Sequence, residues 1–316
     1  MFVPTWTTGS GLPHWMTAGR ADTVAWADVL DTARAAEDAG LDSVWACDHM
    51  LMDDDWSAPD PPDLKPAAGA SGCLDAWAVM AALAASTSRV EIGSLVACTG
   101  YLNPARLAHL ADSIDQISDG RLILGLGAGD HWSEFTRFGY PSDKPIGRFE
   151  EALGIIGPLL RDGHVDFEGA FYTARDAELS PRGRPSGPPI LIGALGSGPR
   201  MSRLVAEHAD LWNGWYTFED EDPFPDLVAG MTRLDDACTT RGRDPRSLGR
   251  TAGVSIAFEG FEAEGGSIAG SDEEIARSLG AWADAGVEHL QVVTSPPGPA
   301  GVERLARVVE LLNAAT

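Results

Sequence analysis

Hydrophobic and polar positions recur along the chain in two forms, short continuous apolar runs and longer stretches with helical spacing. A run of four to six apolar residues predicts a buried strand, and apolar residues three and four apart predict an amphipathic helix. The first complete pair is a helix over residues 22–39, ended by Gly40, followed by a strand over residues 42–47. This order predicts alternating helices and strands.

The same alternation continues to the end of the chain. Strands are predicted at residues 2–6, 42–47, 90–96, 122–126, 190–193, 211–214, 253–258 and 289–293. Helices are predicted at residues 22–39, 74–85, 104–117, 148–160, 200–208, 227–240, 272–285 and 302–312. Such alternation implies a parallel sheet with right-handed crossovers. Eight units favour an α/β fold of the TIM (β/α)8 barrel type, in one domain over residues 1–316, with a doubly wound open sheet as the alternative.

Two stretches interrupt this pattern. Residues 53–66 are acidic and rich in proline, which is typical of a long exposed loop. Residues 162–189 contain Gly, Pro and Arg and are interpreted as an insertion. Both are expected to close over the functional site and to decide substrate choice.

Composition narrows the possible partners. The chain carries 23 Lys and Arg against 47 Asp and Glu, a net charge of −24, and this field repels nucleic acid and anionic membranes. A bound phosphate must therefore be held locally, by backbone N–H groups or a few arginines. The four cysteines are widely spaced and form no C-x-x-C pair. With no signal peptide and no long apolar run, a cytoplasmic protein is expected.

In a barrel the chemistry lies at the carboxyl ends of the strands. The strand at residues 42–47 is followed by Asp48 and His49. An imidazole can bind a ring nitrogen or transfer a proton near neutral pH, so both residues are candidates for catalysis. In the alternative interpretation Asp48 caps a turn and His49 is an ordinary polar loop residue.

The strand at residues 122–126 leads into a glycine-rich segment with Gly125, Gly127 and Gly129, followed by Asp130. Alternate glycines allow a flat ring or a backbone to approach closely. A dinucleotide-binding motif would also need a helix directly behind them. The Gly and Pro at residues 138–143 argue against such a helix, so a Rossmann motif is not expected.

The strand at residues 190–193 is followed by small residues before a predicted helix: Gly193, Ala194, Gly196, Ser197 and Gly198. Exposed N–H groups and the helix dipole favour an anion there, with Arg200 close by in sequence. The alternative is a plain turn, with Pro199 starting the helix.

Other chemistries have little support in the sequence. The seven histidines show no H-x-H or H-E-x-x-H spacing, so no metal site is expected. A G-x-S-x-G hydrolase motif is missing as well. Asp48 and Asp130 form the one obvious carboxylate pair at strand ends, which leaves a glycoside hydrolase as a generic alternative.

Five segments in order resemble the luciferase-like monooxygenase superfamily: AEDAGLDSVWACDH, RVEIGSLVACTGYLNPARLAH, DGRLILGLGAGDHWSEFTRFGYP, PPILIGALGSGPRMSRLVAEHADLWN and IAGSDEEIARSLGAWADAGVEHLQVV. This resemblance implies a TIM barrel that binds reduced FMN or the deazaflavin coenzyme F420. It also implies a non-prolyl cis peptide between Leu95 and Val96 beneath the cofactor ring, and a cofactor phosphate held by residues 193–198.

The pair Asp48 and His49 and the segment LGLGAG resemble the F420-dependent branch more closely than the bacterial luciferases. Asp130 stands where the sugar dehydrogenases of that branch usually have Glu, which puts a sugar phosphate substrate in doubt. The resemblance implies hydride transfer between F420 and an organic small molecule, in a homodimer supplied by a flavin or deazaflavin reductase. An FMN-dependent monooxygenase and a non-catalytic flavin-binding protein are the alternatives.

Overall fold

Strands and helices alternate along the chain, as the sequence predicts. A computed structural model describes residues 25–52, 71–194, 198–216, 223–261, 263 and 266–315. The strands are β1 (Ser43–Ala46), β2 (Leu51–Met52), β3 (Ser71–Gly72), β4 (Glu91–Ser94), β5 (Ala97–Cys98), β6 (Leu122–Gly127), β7 (His164–Glu168), β8 (Thr173–Glu178), β9 (Ile190–Gly193), β10 (Leu211–Trp215), β11 (Gly249–Phe258), β12 (Ile268–Gly270) and β13 (His289–Ser295). The helices are α1 (Trp26–Asp38), α2 (Ala76–Ser86), α3 (Pro104–Ile117), α4 (Trp132–Phe138), α5 (Pro145–Asp162), α6 (Pro199–His208), α7 (Phe224–Thr240), α8 (Asp272–Asp284) and α9 (Gly298–Ala315).

Within the described residues, seven strands form one parallel sheet in chain order. Their order is β1, β4, β6, β9, β10, β11 and β13. The short strands β5 and β12 pair with β6 and β11. All six residues of β6 are buried, since a parallel sheet in an α/β fold is covered on both faces.

The sheet is curled, and its two end strands approach each other. Ser43 Oγ on β1 lies 2.7 Å from His289 Nε2 on β13. Trp45, Leu95 and Leu191 belong to a small buried cluster that is separate from the large core between sheet and helices. The curled sheet therefore has an interior of its own. The predicted first strand, residues 2–6, lies outside the described residues.

Tertiary contacts explain where the observed elements differ from the predicted ones. Strand β11 begins at Gly249 rather than at residue 253 because Arg250, a polar residue in a strand, is buried against Asp235 and the Leu248 carbonyl. The expectation of no helix behind the glycine-rich segment is wrong, since α4 begins at Trp132. That helix ends after seven residues at Gly139, in the left-handed conformation.

The two interrupting stretches differ in what the structure describes. The insertion at residues 162–189 contains an antiparallel hairpin of β7 and β8. Residues 53–66 lie outside the described residues, but the segments beside them, β2 and β3, pair with each other. Among the described helices, none is long and apolar enough to cross a membrane.

Candidate functional site

Asp48 links the carboxyl end of β1 to β5. It follows β1, and its Oδ2 accepts a hydrogen bond of 3.0 Å from the backbone N–H of Cys98 on β5. Burial raises the pKa of Asp48 to about 6, although the Cys98 amide and the charge of His49 oppose that rise. The carboxyl group thus fixes the loop that carries His49. Its predicted catalytic role stays a prediction.

His49 is held by a carboxylate that comes from a distant part of the chain. Its Nδ1 lies 2.9 Å from Oε2 of Glu134 on α4. Burial alone would lower the pKa of His49, but the hydrogen bond and the charge of Glu134 raise it above its ordinary value. The side chain of His49 is 17% exposed and that of Glu134 is fully buried, so the imidazole lies at the edge of the buried pair.

Glu134 is the centre of the hydrogen bonds at this strand end. Its Oε1 accepts from the backbone N–H groups of Met50, at 2.5 Å, and Leu51, at 2.8 Å. Its Oε2 also accepts from the Tyr101 hydroxyl at 2.8 Å. Burial would raise the pKa of Glu134, but the hydrogen bonds from His131, His49 and the Leu51 amide hold it well below its usual range. Glu134 is therefore a carboxylate near neutral pH.

A second histidine contacts the same carboxylate. His131 is completely buried, and its Nδ1 lies 3.5 Å from Glu134 Oε2. Its Nε2 lies 3.1 Å from the Ser133 hydroxyl, and its ring meets the His49 ring edge to face at 5.6 Å. The ligand atoms of His49, His131 and Glu134 lie within 4.8 Å of one another. A metal could fit here, although the sequence led us to expect no metal site.

The sequence did not identify Glu134, His131 or Tyr101 as functional residues. A signal was present, because His131 and Glu134 are three residues apart, at the N-cap and in the first turn of one helix. That signal was lost when a helix was excluded at this position. Tyr101 gave no comparable signal, since only folding brings it to Glu134.

The peptide bond between Leu95 and Val96 is cis, as the resemblance implied. The Val96 side chain lies next to glycines of two neighbouring strands, β6 and β9. A Cβ at Gly127 would lie 2.7 Å from Val96 Cγ2, and one at Gly193 would lie 3.1 Å from Val96 Cγ1. Glycine at these positions leaves room for the Val96 side chain. Whether this surface carries a cofactor ring stays a prediction.

The remaining predicted cofactor residues are only partly described. Gly196 and Ser197 lie outside the described residues. Gly198 is the N-cap of α6, no side chain caps that helix end, and a Cβ added there would meet nothing within 4 Å. Ala194 is buried, and its N–H donates to the Asn213 carbonyl. Arg200 is paired with Glu150 at 2.5 Å.

Two other predicted positions have different surroundings. Gly129 has a positive φ of 89°, and a Cβ there would collide with Phe135 and Cys98. Asp130 is exposed, while Asp48 is hydrogen-bonded to Cys98. Because the two carboxylates lie in such different surroundings, the structure gives no support to a hydrolase in which Asp48 and Asp130 act on one substrate.

Comparison with known proteins identifies the relatives of this chain. A family model described as luciferase-like monooxygenase matches residues 6–264. The 5,10-methylenetetrahydromethanopterin reductase of Archaeoglobus fulgidus is 31% identical over 202 residues, 63% of this chain and 53% of that protein. An F420-dependent glucose-6-phosphate dehydrogenase of Microbacterium testaceum is 30% identical over 236 residues, 73% of this chain and 64% of that protein. The chain thus spans about half to two thirds of the length of these relatives.

Solved structures show the same fold. An F420-dependent secondary alcohol dehydrogenase in complex with an F420-acetone adduct superposes with a TM-score of 0.72 at 20% identity, over 92% of this chain and 96% of that one. A monooxygenase from Streptomyces bottropensis superposes with a TM-score of 0.73 at 19% identity, over 92% and 94% of the two chains. At such low identity these structures establish the fold alone.

Proposed function

Because the chain belongs to the luciferase-like monooxygenase family, we propose that it is an oxidoreductase that transfers hydride between coenzyme F420 and an organic substrate of low charge. The similarity to F420-dependent relatives carries this proposal. One of them, an F420-dependent hydroxymycolic acid dehydrogenase of Mycobacterium tuberculosis, is 28% identical over 281 residues, 87% of this chain and 66% of that protein. The relatives named for F420 carry the names of different substrates, glucose-6-phosphate and hydroxymycolic acid.

The residues at the strand ends fit a bound coenzyme of this kind. Gly127 and Gly193 leave the room that the Val96 side chain occupies, and the flat ring of the coenzyme is assigned to the surface that Val96 forms there. At the start of α6, Gly198 is exposed and has open space around it, so a phosphate can approach the first turn of that helix. When bound, coenzyme F420 supplies a hydride carrier that reacts slowly with oxygen.

His49 is the residue assigned to proton transfer or to orienting the coenzyme. Glu134 binds Nδ1, so proton transfer takes place at the other ring nitrogen, Nε2. The amide contacts of Glu134 to Met50 and Leu51 hold the His49 loop in place. A fixed imidazole reduces the reorganisation that a reaction needs. Asp48 contributes by anchoring the same loop to β5.

The architecture and setting of the protein form part of the proposal. The parallel sheet is proposed to belong to a closed eight-stranded barrel, and residues 1–316 are proposed to form one domain. The described cysteines are all free thiols, which supports a reducing compartment such as the cytoplasm. We also expect the protein to form a homodimer and to act with a partner enzyme that reduces the coenzyme.

A titration with the two coenzymes tests the proposed function. Purified protein is mixed separately with F420 and with FMN, and coenzyme fluorescence is followed. We expect F420 to bind more tightly, and a panel of alcohols, aldehydes and ketones then to change the absorbance of bound coenzyme. Preferential FMN binding with oxygen uptake would support the monooxygenase named by the family model instead. Tight binding without turnover over the whole panel would indicate a flavin-binding protein.

A further inference from the structure

We propose that His49, His131 and Glu134 together bind a Zn²⁺ ion. The three side chains come from two segments, the loop after β1 and the start of α4. Nδ1 of His49 lies 2.9 Å and Nδ1 of His131 3.5 Å from Glu134 Oε2, and all three ligand atoms lie within 4.8 Å of one another. The zinc site shares His49 and Glu134 with the proposed hydride-transfer site, but zinc binding does not depend on the coenzyme.

The ligand set and its spacing suit zinc. Two imidazole nitrogens and one carboxylate oxygen are a common zinc ligand set, with a fourth position left for water. Bonds of about 2.0–2.2 Å in a tetrahedron place neighbouring ligand atoms roughly 3.3–3.5 Å apart. The two distances to Glu134 Oε2 lie close to that spacing, so small side-chain adjustments bring the ligands into position.

Surrounding hydrogen bonds already fix the ligands. Oε1 of Glu134 accepts from two backbone N–H groups, which turns Oε2 toward the histidines. The Ser133 hydroxyl contacts Nε2 of His131, which favours the use of Nδ1 for the ion. Outer contacts of this kind orient ligands in known metal sites.

The exposure of the ligands indicates how an ion would enter. His49 is 17% exposed while the other two ligands are fully buried, so the ion enters on the His49 side. Once bound, it replaces the hydrogen bond between His49 and Glu134. Mg²⁺ and Ca²⁺ prefer oxygen ligands and are expected to bind poorly.

Zinc binding can be measured without any coenzyme. The chelator-treated protein is titrated with ZnCl₂ in competition with a chromophoric zinc indicator. His49→Ala and His131→Ala are compared with His109→Ala, an exposed histidine on α3. Circular dichroism checks that each variant is folded. Because His49 lies at the edge of the site, His49→Ala keeps the test valid if the buried His131 proves necessary for folding.

We expect one zinc ion per chain, and a loss of affinity on the order of tenfold or more in either triad variant but not in His109→Ala. Absence of zinc binding by the wild-type protein would overturn the proposal. Equal affinity in the wild type, His49→Ala, His131→Ala and His109→Ala would overturn it as well, and loss of binding in Cys47→Ser or Cys73→Ser would then assign the ion to thiols. Because no coenzyme is present, failure of the F420 titration has no bearing on this result.

Discussion

Oε2 of Glu134 lies 2.9 Å from Nδ1 of His49, a residue 85 positions earlier in the chain. Glu134 is at the start of α4 and His49 in the loop after β1, so this contact exists only in the folded chain. The same carboxylate binds two backbone amides of the His49 loop. Glu134 therefore fixes both the ring of His49 and the backbone that carries it, and the first prediction concerns this link.

Glu134→Gln is expected to lower turnover while the protein stays folded. The new amide can still accept from the Met50 and Leu51 N–H groups, but it cannot supply a negative charge to His49. Hydrogen bonds to charged groups contribute about 1.5–3 kcal/mol, so kcat should fall roughly tenfold or more. Steady-state kinetics with F420 tests this, with Glu273→Gln, an exposed position on α8, as the control. An unchanged kcat would show that Glu134 does not contribute to the reaction.

His49→Ala is expected to reduce turnover far more than stability. General acid or base groups contribute on the order of 10²- to 10⁴-fold to rates. The partly exposed ring adds little to the core. The experiment compares kcat and Tm for His49→Ala and His109→Ala, whose parent side chain is exposed on α3. Full activity in His49→Ala would show that His49 does not have the proposed catalytic role.

Gly127→Ala is expected to destabilise the protein by about 1–3 kcal/mol through crowding against Val96. Adding Val96→Ala should recover part of this loss, because the two positions are in contact and their effects are coupled. Denaturant unfolding of the single and double variants measures the coupling. Gly157→Ala on α5 is the matched control, since its Cβ meets nothing and alanine favours a helix by up to about 1 kcal/mol. Additive effects at 127 and 96 would show that Val96 does not require this glycine.

Gly198→Asp is expected to change stability and coenzyme affinity in opposite directions. An aspartate N-cap should stabilise α6 by a few tenths of a kcal/mol, since Gly198 has extended backbone and open space around it. Its negative charge should weaken binding of a phosphate-bearing coenzyme. Gly198→Asn adds a similar cap without the charge and serves as the matched control. F420 titration and Tm are measured for both variants, and equal affinity for F420 would place the phosphate elsewhere.

The protein is expected to lose stability in acid because the Glu37 carboxyl becomes protonated. Burial would raise its pKa, but the N–H groups of Arg89, Val90 and Ser88 lower it to about 2, from an ordinary value of 4.5. A carboxyl whose pKa is lowered by folding stabilises the protein fully above about pH 4.5, and this contribution disappears as the pH falls toward 2. The stability difference between wild type and Glu37→Gln should therefore be largest near neutral pH and shrink over that range. Urea unfolding of both proteins between about pH 7 and pH 2 measures this difference, and a difference that stayed constant over that range would contradict the prediction.

Much of the architecture could be predicted because each element depends on its own residues. Apolar runs such as residues 122–126 form strands that are buried on both faces, and the spacing of Val29, Ala33 and Ala36 forms the buried side of α1. Strand β11 could not be bounded in this way. Its first residues are polar, and Arg250 is buried only because Asp235 from α7 neutralises it.

The sequence by itself determined the alternation of strands and helices, the glycine-rich ends of β6 and β9 and the place of His49 at a strand end. Each of these depends on residue type and on neighbours along the chain. Tertiary structure alone decided that Glu134 binds His49, that Tyr101 donates to the same carboxylate, and that Asp48 is bound to the Cys98 amide. Those contacts join segments far apart in sequence, where spacing carries no information about distance, so only packing of the strands and α4 could bring them together.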